Sequence, residues 1–256
     1  MAVYPREAVA VFTDPLLGGS PLAVVLDGRG LTTERMQAIA REFNYSETTF
    51  VLPPEDEANT ARVRIFTPGV EVPFAGHPNV GTAFVLARRG EALGRPVEPP
   101  LRFEEKAGLV VVDVDAVGKA TVTAPQALFI GDTVPPENVA PCLSLDPADI
   151  ATDRHVPTIA SVGMKFLLVE LASRDALSRA RIDPAAFADN VPLDMATGIH
   201  FYVHADAEDD VDVRARMFSP IDGVGEDPAT GSANAALVAF LAALDPLAEM
   251  SLSIRV

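Results

Sequence analysis

Two hydrophobic patterns alternate along this chain, one of strand length and one of helix length. Short apolar runs bounded by glycine and proline predict strands at Val9–Phe12, Leu22–Leu26, Thr49–Leu52, Arg62–Phe66, Leu109–Val114 and Ala120–Thr123. The second half predicts further strands at Phe166–Leu171, Gly198–His204 and Val211–Phe218. Thr33–Phe43 carries Met36, Ile39, Ala40 and Phe43 on one face, with Thr33 as its predicted N-cap, so it reads as an amphipathic helix. Pro184–Asn190 is a shorter helical segment. Pro78–Arg88 and Ala233–Leu244 differ, being apolar on nearly every face, and a helix of that kind must be enclosed. Strands are the elements numerous enough to wall them in, so the pattern predicts two helices wrapped by curved sheet.

The halves resemble each other. His77-Pro78-Asn79-Val80-Gly81-Thr82-Ala83 returns as Asp227-Pro228-Ala229-Thr230-Gly231-Ser232-Ala233, a shared [His/Asp]-Pro-x-x-Gly-[Thr/Ser]-Ala. Arg64-Ile65-Phe66-Thr67-Pro68 precedes the first copy and Arg216-Met217-Phe218-Ser219-Pro220 the second. A repeat this long points to duplicated domains rather than a solenoid. The proline-punctuated stretch Ala124–Glu137 predicts the boundary, giving domains 1–126 and 127–256.

Composition narrows the function. Hydrophobic residues make up 48% of the 256, enough for a full core. The formal charge of −16 and the lack of a basic cluster exclude nucleic acid as a partner. No apolar run approaches the ~20 residues of a membrane span, and Met1–Phe12 lacks the pattern of a signal peptide. Cys142 is the lone cysteine, so no internal disulfide forms and the reducing cytoplasm is the expected location. His200 and His204 fall on one face of a strand about 13 Å apart, without a Cys or His cluster beside them, so no metal site is expected. His155 adds no ligand cluster. Ala207-Glu208-Asp209-Asp210 reads as a solvated turn.

The repeated turn is the first candidate for chemistry. An Asp-Pro helix start has a plain structural explanation, since both residues favour that position. It explains His77 less well, and it leaves Gly81 and Gly231 unexplained, because glycine costs helix stability. Exposed N–H groups at a helix start bind anions, and Thr82 and Ser232 add hydroxyl donors. Two such turns suit a small carboxylate held from both sides. Glu47, within Asn44-Tyr45-Ser46-Glu47-Thr48-Thr49-Phe50, is the second candidate: desolvation beside an apolar strand would raise its pKa toward a working acid–base value.

Val11-Phe12-Thr13 with Pro21-Leu22-Ala23-Val24-Val25, the segment Asn44–Phe50, Arg64–Pro68, Pro73-Phe74-Ala75-Gly76-His77-Pro78 and Glu226-Asp227-Pro228-Ala229-Thr230-Gly231-Ser232-Ala233 together resemble the PhzF family, named for the phenazine-biosynthesis isomerase. More distantly the chain resembles diaminopimelate epimerase. The resemblance implies an α+β fold of two pseudo-symmetric domains, each a β-barrel closed around a central helix. It implies a cofactor-independent proton shift on a small carboxylic acid in a cleft between the domains, and a homodimer. By position Glu47 would be the acid–base residue, with His77 and Asp227 beside it as catalytic groups. Ser46, Gly76, Gly231, Ser232 and Ser20 would bind the substrate. Ser20 stands where the family usually has asparagine. Family members also continue past the equivalent of Ile254-Arg255-Val256 with further strands, which predicts an unpaired sheet edge here. A two-base racemase or epimerase using Glu47 and Asp227, and a non-catalytic binding module, remain as alternative readings.

Overall fold

The apolar runs of the first half pair into one curled sheet in the computed structural model, whose described residues are 3–13, 19–191, 195–206, 208–220, 224–227, 230–245, 250–252 and 254–255. The chain divides into two units, Met1–Gln126 and Ala127–Val256. In unit 1 the elements run β1 (Arg6–Val11), β2 (Ser20–Val25), α1 (Thr33–Phe43), β3 (Glu47–Leu52), β4 (Ala61–Phe66), β5 (Glu71–Val72), α2 (Gly76–Arg89), β6 (Glu91–Ala92), β7 (Arg95–Pro96), β8 (Leu101–Glu105), β9 (Gly108–Val114) and β10 (Ala120–Thr123). The sheet order is β1-β2-β3-β4-β8-β9-β10, with β5 beside β4 and β6-β7 a separate ribbon.

α1 forms because its apolar stripe meets an apolar sheet face. Met36 and Ala40 are buried against Val25, Phe50, Leu52 and Phe66, with Ile39 and Phe43 flanking them. Its N-cap is Thr32, one residue before the expected Thr33, because the Thr32 hydroxyl accepts the Arg35 N–H. The chain leaves the helix through Asn44 in the left-handed conformation, φ 53°, a cap that asparagine tolerates well.

α2 is the enclosed helix. It packs on β1, β2, β3, β9 and β10, strands from both ends of the sheet path. β1 and β10 are not paired to each other among the described residues. The sheet is therefore a curled half-barrel, not the closed barrel expected, and the helix joins its two ends. Close approach explains Gly81. A Cβ there would lie 2.5 Å from Leu22 Cδ2 and 2.8 Å from Val11 Cγ2. The expectation that Gly81 uncovers N–H groups of a first turn is thus corrected: it sits six residues into α2 and lets the helix touch β1 and β2.

Unit 2 contains β11 (Phe129–Thr133), α3 (Pro136–Cys142), a 3-10 turn (Pro147–Asp149), β12 (Thr158–Ser161), β13 (Lys165–Glu170), α4 (Arg174–Arg179), α5 (Pro184–Asn190), β14 (Gly198–His204), β15 (Val213–Ser219), β16 (Val224–Asp227), α6 (Gly231–Leu244) and β17 (Ile254–Arg255). The strands β11 to β16 are neighbours in sequence order, with β17 on β15. Cys142, Leu143, Leu167, Val169, Phe187 and Phe201 share one core cluster. Cys142 is buried, and burial raises its thiol pKa to about 11, so it is a packing residue. α6 packs on β12 and β13. It buries Ser232, Ala233, Ala236, Leu237, Phe240 and Leu241, while Ala235, Val238 and Ala239 stay half-exposed, so it is less enclosed than its sequence suggested. The acidic run joins β14 to β15, and Asp209 within it pairs with Arg214; Ala207 lies outside the described residues.

Strand register in one unit corresponds to that in the other position by position. In unit 1 Leu22 pairs with Glu47 and Val25 with Phe50 across parallel β2 and β3; in unit 2 Phe166 pairs with Gly198 and Val169 with Phe201 across parallel β13 and β14. Phe50 then faces Arg64, and Phe201 faces Arg216. Phe66 pairs with Glu71, and Phe218 with Glu226. Side chains repeat the match. Arg64 makes two hydrogen bonds to the Glu71 carboxylate and lies over the Phe66 ring; Arg216 does the same with Glu226 and Phe218.

This register corrects the sequence repeat by five residues. From Glu71 and Glu226 onward, Val72 matches Asp227, Ala75 matches Thr230, Gly76 matches Gly231, His77 matches Ser232 and Asn79 matches Asn234. The helix ends agree: α2 begins at Gly76 after N-cap Ala75, and α6 begins at Gly231 after N-cap Thr230. Both helices are 14 residues long. The structural repeat is Pro-x-x-Gly-x-x-Asn, read from Pro73 and Pro228. The [His/Asp]-Pro match was a local coincidence inside a real duplication.

Candidate active site

Unit 1 brings Glu47 and His77 together. Glu47 is the first residue of β3, not a loop residue, and its side chain points to the α2 side of the sheet. Two residues on, Thr49 Oγ1 lies 2.8 Å from Thr82 Oγ1, a buried hydroxyl pair that fixes α2 on β3. His77 is the second residue of α2 and is buried. Glu47 Oε2 is 3.4 Å from His77 Nε2, with side-chain exposures of 12% and 2%, so the pair is almost dry. A carboxylate at a helix start is favoured by the helix dipole, and a nearby imidazole can hold or exchange a proton with it.

No side chain caps α2: Ala75 is the N-cap and makes no side-chain hydrogen bond. Gly76 follows it and is buried. The first-turn N–H groups are thus left for another acceptor. Ser20 opens β2 at the sheet end where Glu47 opens β3, and its buried Oγ has no hydrogen-bond partner among the described residues. Ser46 precedes Glu47 in the bend after α1 and is half-buried.

Unit 2 brings together Asp227, Thr230, Gly231 and Ser232. Asp227 ends β16 and is buried. The Thr230 hydroxyl donates to Asp227 Oδ2 at 2.6 Å, so Thr230 spends its hydroxyl there and leaves α6 without a side-chain cap. Ser232, second in α6, is buried in the place that His77 holds in unit 1. Residues 228–229 lie outside the described residues. Among the described residues α6 begins at Gly231, and the helix start expected at Pro228 lies outside them.

Sequence reasoning missed four polar residues beneath these helix starts. Asn79 donates through Nδ2 to the Ala75 carbonyl at 3.0 Å, across its own first turn. Its side chain faces Glu105 from β8. In unit 2 Asn234 faces His200 from β14. A search for Pro-x-x-Gly-x-x-Asn would have found both asparagines; nothing local in sequence marks Glu105 or His200. His155, which carried no role in the sequence, lies 2.7 Å through Nε2 from the Tyr202 hydroxyl and edge-on to Phe240 of α6, so it anchors that helix.

The phenazine biosynthesis-like protein family (PhzC-PhzF) matches residues 9–254. The chain belongs to this family. It is 36% identical over 244 residues to an uncharacterised isomerase of Mesorhizobium japonicum, covering 92% of this chain and 79% of that one. It is 35% identical over 243 residues to the trans-2,3-dihydro-3-hydroxyanthranilate isomerase of Pseudomonas aeruginosa, covering 91% and 78%. Among solved structures, a PhzF-family phenazine biosynthesis protein of Bacillus anthracis superposes with a TM-score of 0.76 at 29% identity, over 93% of this chain and 80% of that one. A probable proline racemase of Agrobacterium radiobacter shares the fold alone, with a TM-score of 0.59 at 14% identity over 91% and 76%. This PhzC-PhzF protein is therefore an isomerase with an epimerase-like α/β fold. Among the described residues, no helix is long and apolar enough to cross a membrane.

Proposed function

We propose that this PhzC-PhzF isomerase moves a proton on a small unsaturated carboxylic acid, with Glu47 as the acid–base group and no cofactor. The observation that carries the reading is the nearly dry Glu47–His77 pair, 3.4 Å apart at a helix start that no side chain caps. The carboxylate of the substrate is held by the first-turn N–H groups of α2, with Ser20, Ser46 and Gly76 lining its place. Fixation of that end makes proton abstraction effectively intramolecular. Glu47 takes a proton from a carbon next to the unsaturation and returns it elsewhere on the same molecule. His77 steadies the carboxylate in its charged form. Exclusion of water keeps the intermediate from hydrolysis or stray protonation.

A single base fits better than two. Gly198 stands in unit 2 where Glu47 stands in unit 1, so the duplicated strand supplies no second carboxylate. A two-base reaction would need Asp227, whose Oδ2 already accepts the Thr230 hydroxyl.

The names of relatives supply the first substrate to test, trans-2,3-dihydro-3-hydroxyanthranilate. The protein is incubated with it in deuterated water and followed by proton NMR, beside proline and hydroxyproline as racemisation controls. The expected result is isomerisation of the dihydro acid with solvent label at the carbon that gains the proton. Glu47→Gln lowers that rate by about 10²–10⁴-fold with little change in KM. Label incorporation by Glu47→Gln at the parent rate would refute Glu47 as the base, and label at the α-carbon of proline would favour the two-base reaction.

A further inference from the structure

The strand that leads into α2 is too short to hold itself. β5 is two residues long and meets β4 at two register positions, Ile65 with Val72 and Phe66 with Glu71. The Glu71 side chain supplies what the backbone lacks. Arg64 Nε donates to Glu71 Oε1 at 2.7 Å, Arg64 Nη2 donates to Oε2 at 2.7 Å, and Lys106 Nζ donates to the same Oε2 at 2.6 Å. The Ala107 N–H, next to Lys106, donates to the Pro73 carbonyl at 3.1 Å. The segment between β5 and α2 is thus gripped from β4 and from the turn that joins β8 to β9. His77 lies between two anchors, this clamp six residues before it and the Thr49–Thr82 hydroxyl pair five residues after it.

Stability alone does not account for the clamp. The side chains of Glu71 and Arg64 are 9% and 21% exposed, so both charges have shed most of their water. An ion pair in such a place gains little over apolar side chains of like volume. What an apolar pair would lack is direction, because a guanidinium fork sets both the plane and the line of a carboxylate. Burial pushes the Glu71 carboxyl up, yet the bonds from Arg64 and Lys106 outweigh it and hold the pKa below the ordinary 4.5, so the clamp is charged at neutral pH. At the end of this line stands a helix that no side chain caps. The path of the chain through Pro73 and Ala75 therefore decides where Gly76 and His77 come to lie.

Unit 2 separates fastening from positioning. Arg216 holds Glu226 with the same two nitrogens, Nε at 2.7 Å and Nη2 at 2.9 Å. There the carboxylate side chain is 44% exposed, and among the described residues no lysine joins it. Gly198 takes the register place of Glu47 in that unit. The drier clamp with three donors thus stands in the unit that carries the acid–base pair, and the wetter one with two donors in the unit whose matching strand position is glycine. We propose that Arg64 and Lys106 are positioning residues, which act through Glu71 to fix the entry of the chain into α2 and so the place of His77 beside Glu47. The effect on rate rests on the functional reading above; the effect on His77 does not.

Histidine ring NMR reads the position of His77 without any substrate. His77 is the histidine of unit 1, and His155, His200 and His204 of unit 2 serve as references in the same spectrum. H77Q assigns its signal. R64K keeps the charge and loses the fork, E71Q keeps the shape and loses the charge, and R216K loses the fork of unit 2. K106M removes the most exposed member of the clamp, so it reports on a folded protein even where a fork variant unfolds. Expected is a displaced His77 signal in R64K and E71Q, a smaller displacement in K106M, and reference signals that hold. R216K lowers the urea midpoint as R64K does but moves the His77 signal less. With trans-2,3-dihydro-3-hydroxyanthranilate as substrate, kcat of R64K falls about tenfold to a hundredfold, the scale of a group misplaced by about 1 Å, and KM changes less than kcat. A His77 signal unmoved in every clamp variant, R216K moving it as far as R64K, or R64K turning over at the parent rate would each overturn the positioning role. A parent that leaves the dihydro acid unchanged and takes up no solvent label would instead overturn the functional reading, and the His77 signal would still decide the clamp.

Discussion

Lowering the pH should destabilise unit 2 through one side chain, His200. It is wholly buried, faces Asn234 from α6, and has Leu168 and Met217 beside it on the neighbouring strands. Burial holds its pKa at about 4, against an ordinary 6.5. The unfolded chain therefore binds a proton that the folded chain refuses between those two values. Stability from the neutral ring is fully present above about pH 6.5, is lost as pH falls through that window, and changes no further below about pH 4. At about 1.4 kcal/mol for each pH unit the separation amounts to about 3 kcal/mol. The perturbation is the pair parent and H200Q, because glutamine keeps a polar donor but takes no charge. Urea unfolding monitored by far-UV circular dichroism at pH 7 and pH 4 gives the two losses, and groups common to both proteins, His204 among them, cancel in the difference. The parent is expected to lose about 3 kcal/mol more than H200Q over this interval. Equal losses in the two proteins would refute the reasoning, as would a His200 Cε1 resonance that titrates near 6.5.

Three further outcomes follow from packing and hydrogen bonding. Gly81→Ala drives a methyl group to 2.5 Å from Leu22 Cδ2 and should cost about 1–3 kcal/mol in overpacking, read as a lower urea midpoint; an unchanged midpoint would show that α2 has room. Thr49→Val leaves the buried Thr82 hydroxyl without its 2.8 Å partner and should cost about 1–3 kcal/mol, whereas adding Thr82→Val recovers most of the loss; additive losses in the double variant would contradict the pairing. Cys142, buried with a thiol pKa of about 11, should resist iodoacetamide in the folded protein and react on unfolding, and rapid labelling of the native state would refute its burial.

The sequence made some of these features plain and hid others, for identifiable reasons. α1 and α5 were legible to their ends because local signals define them: an apolar stripe with a left-handed asparagine exit for α1, and an Asp-Pro start for α5. The duplicated Arg-x-Phe strands were legible because arginine and phenylalanine recur at fixed spacing, and the structure places both pairs in one register. The repeat of the helix starts was visible but misaligned by five residues, since Gly81-Thr82-Ala83 imitates Gly231-Ser232-Ala233 more closely than the true counterpart Gly76-His77-Pro78 does. Glu47 and His77 were singled out from the segments around them, and the fold sets them 3.4 Å apart. Glu105 and His200 were not, because their significance lies in what the fold brings against them: an asparagine 26 residues earlier in one case and 34 later in the other. Gly81 was misread for the same reason, as only the approach of β1 and β2 explains it.

Gly198 limits what this scaffold can become. It holds the position in the second half that Glu47 holds in the first, and a Cβ there would lie 2.7 Å from the Phe218 carbonyl oxygen. No single replacement can copy the first half's acid into the second without pushing β15 aside. Descendants of this chain that acquired mirror-image chemistry would have to recruit the opposing acid from another strand, so the two halves, alike in outline, are free to diverge in only one direction.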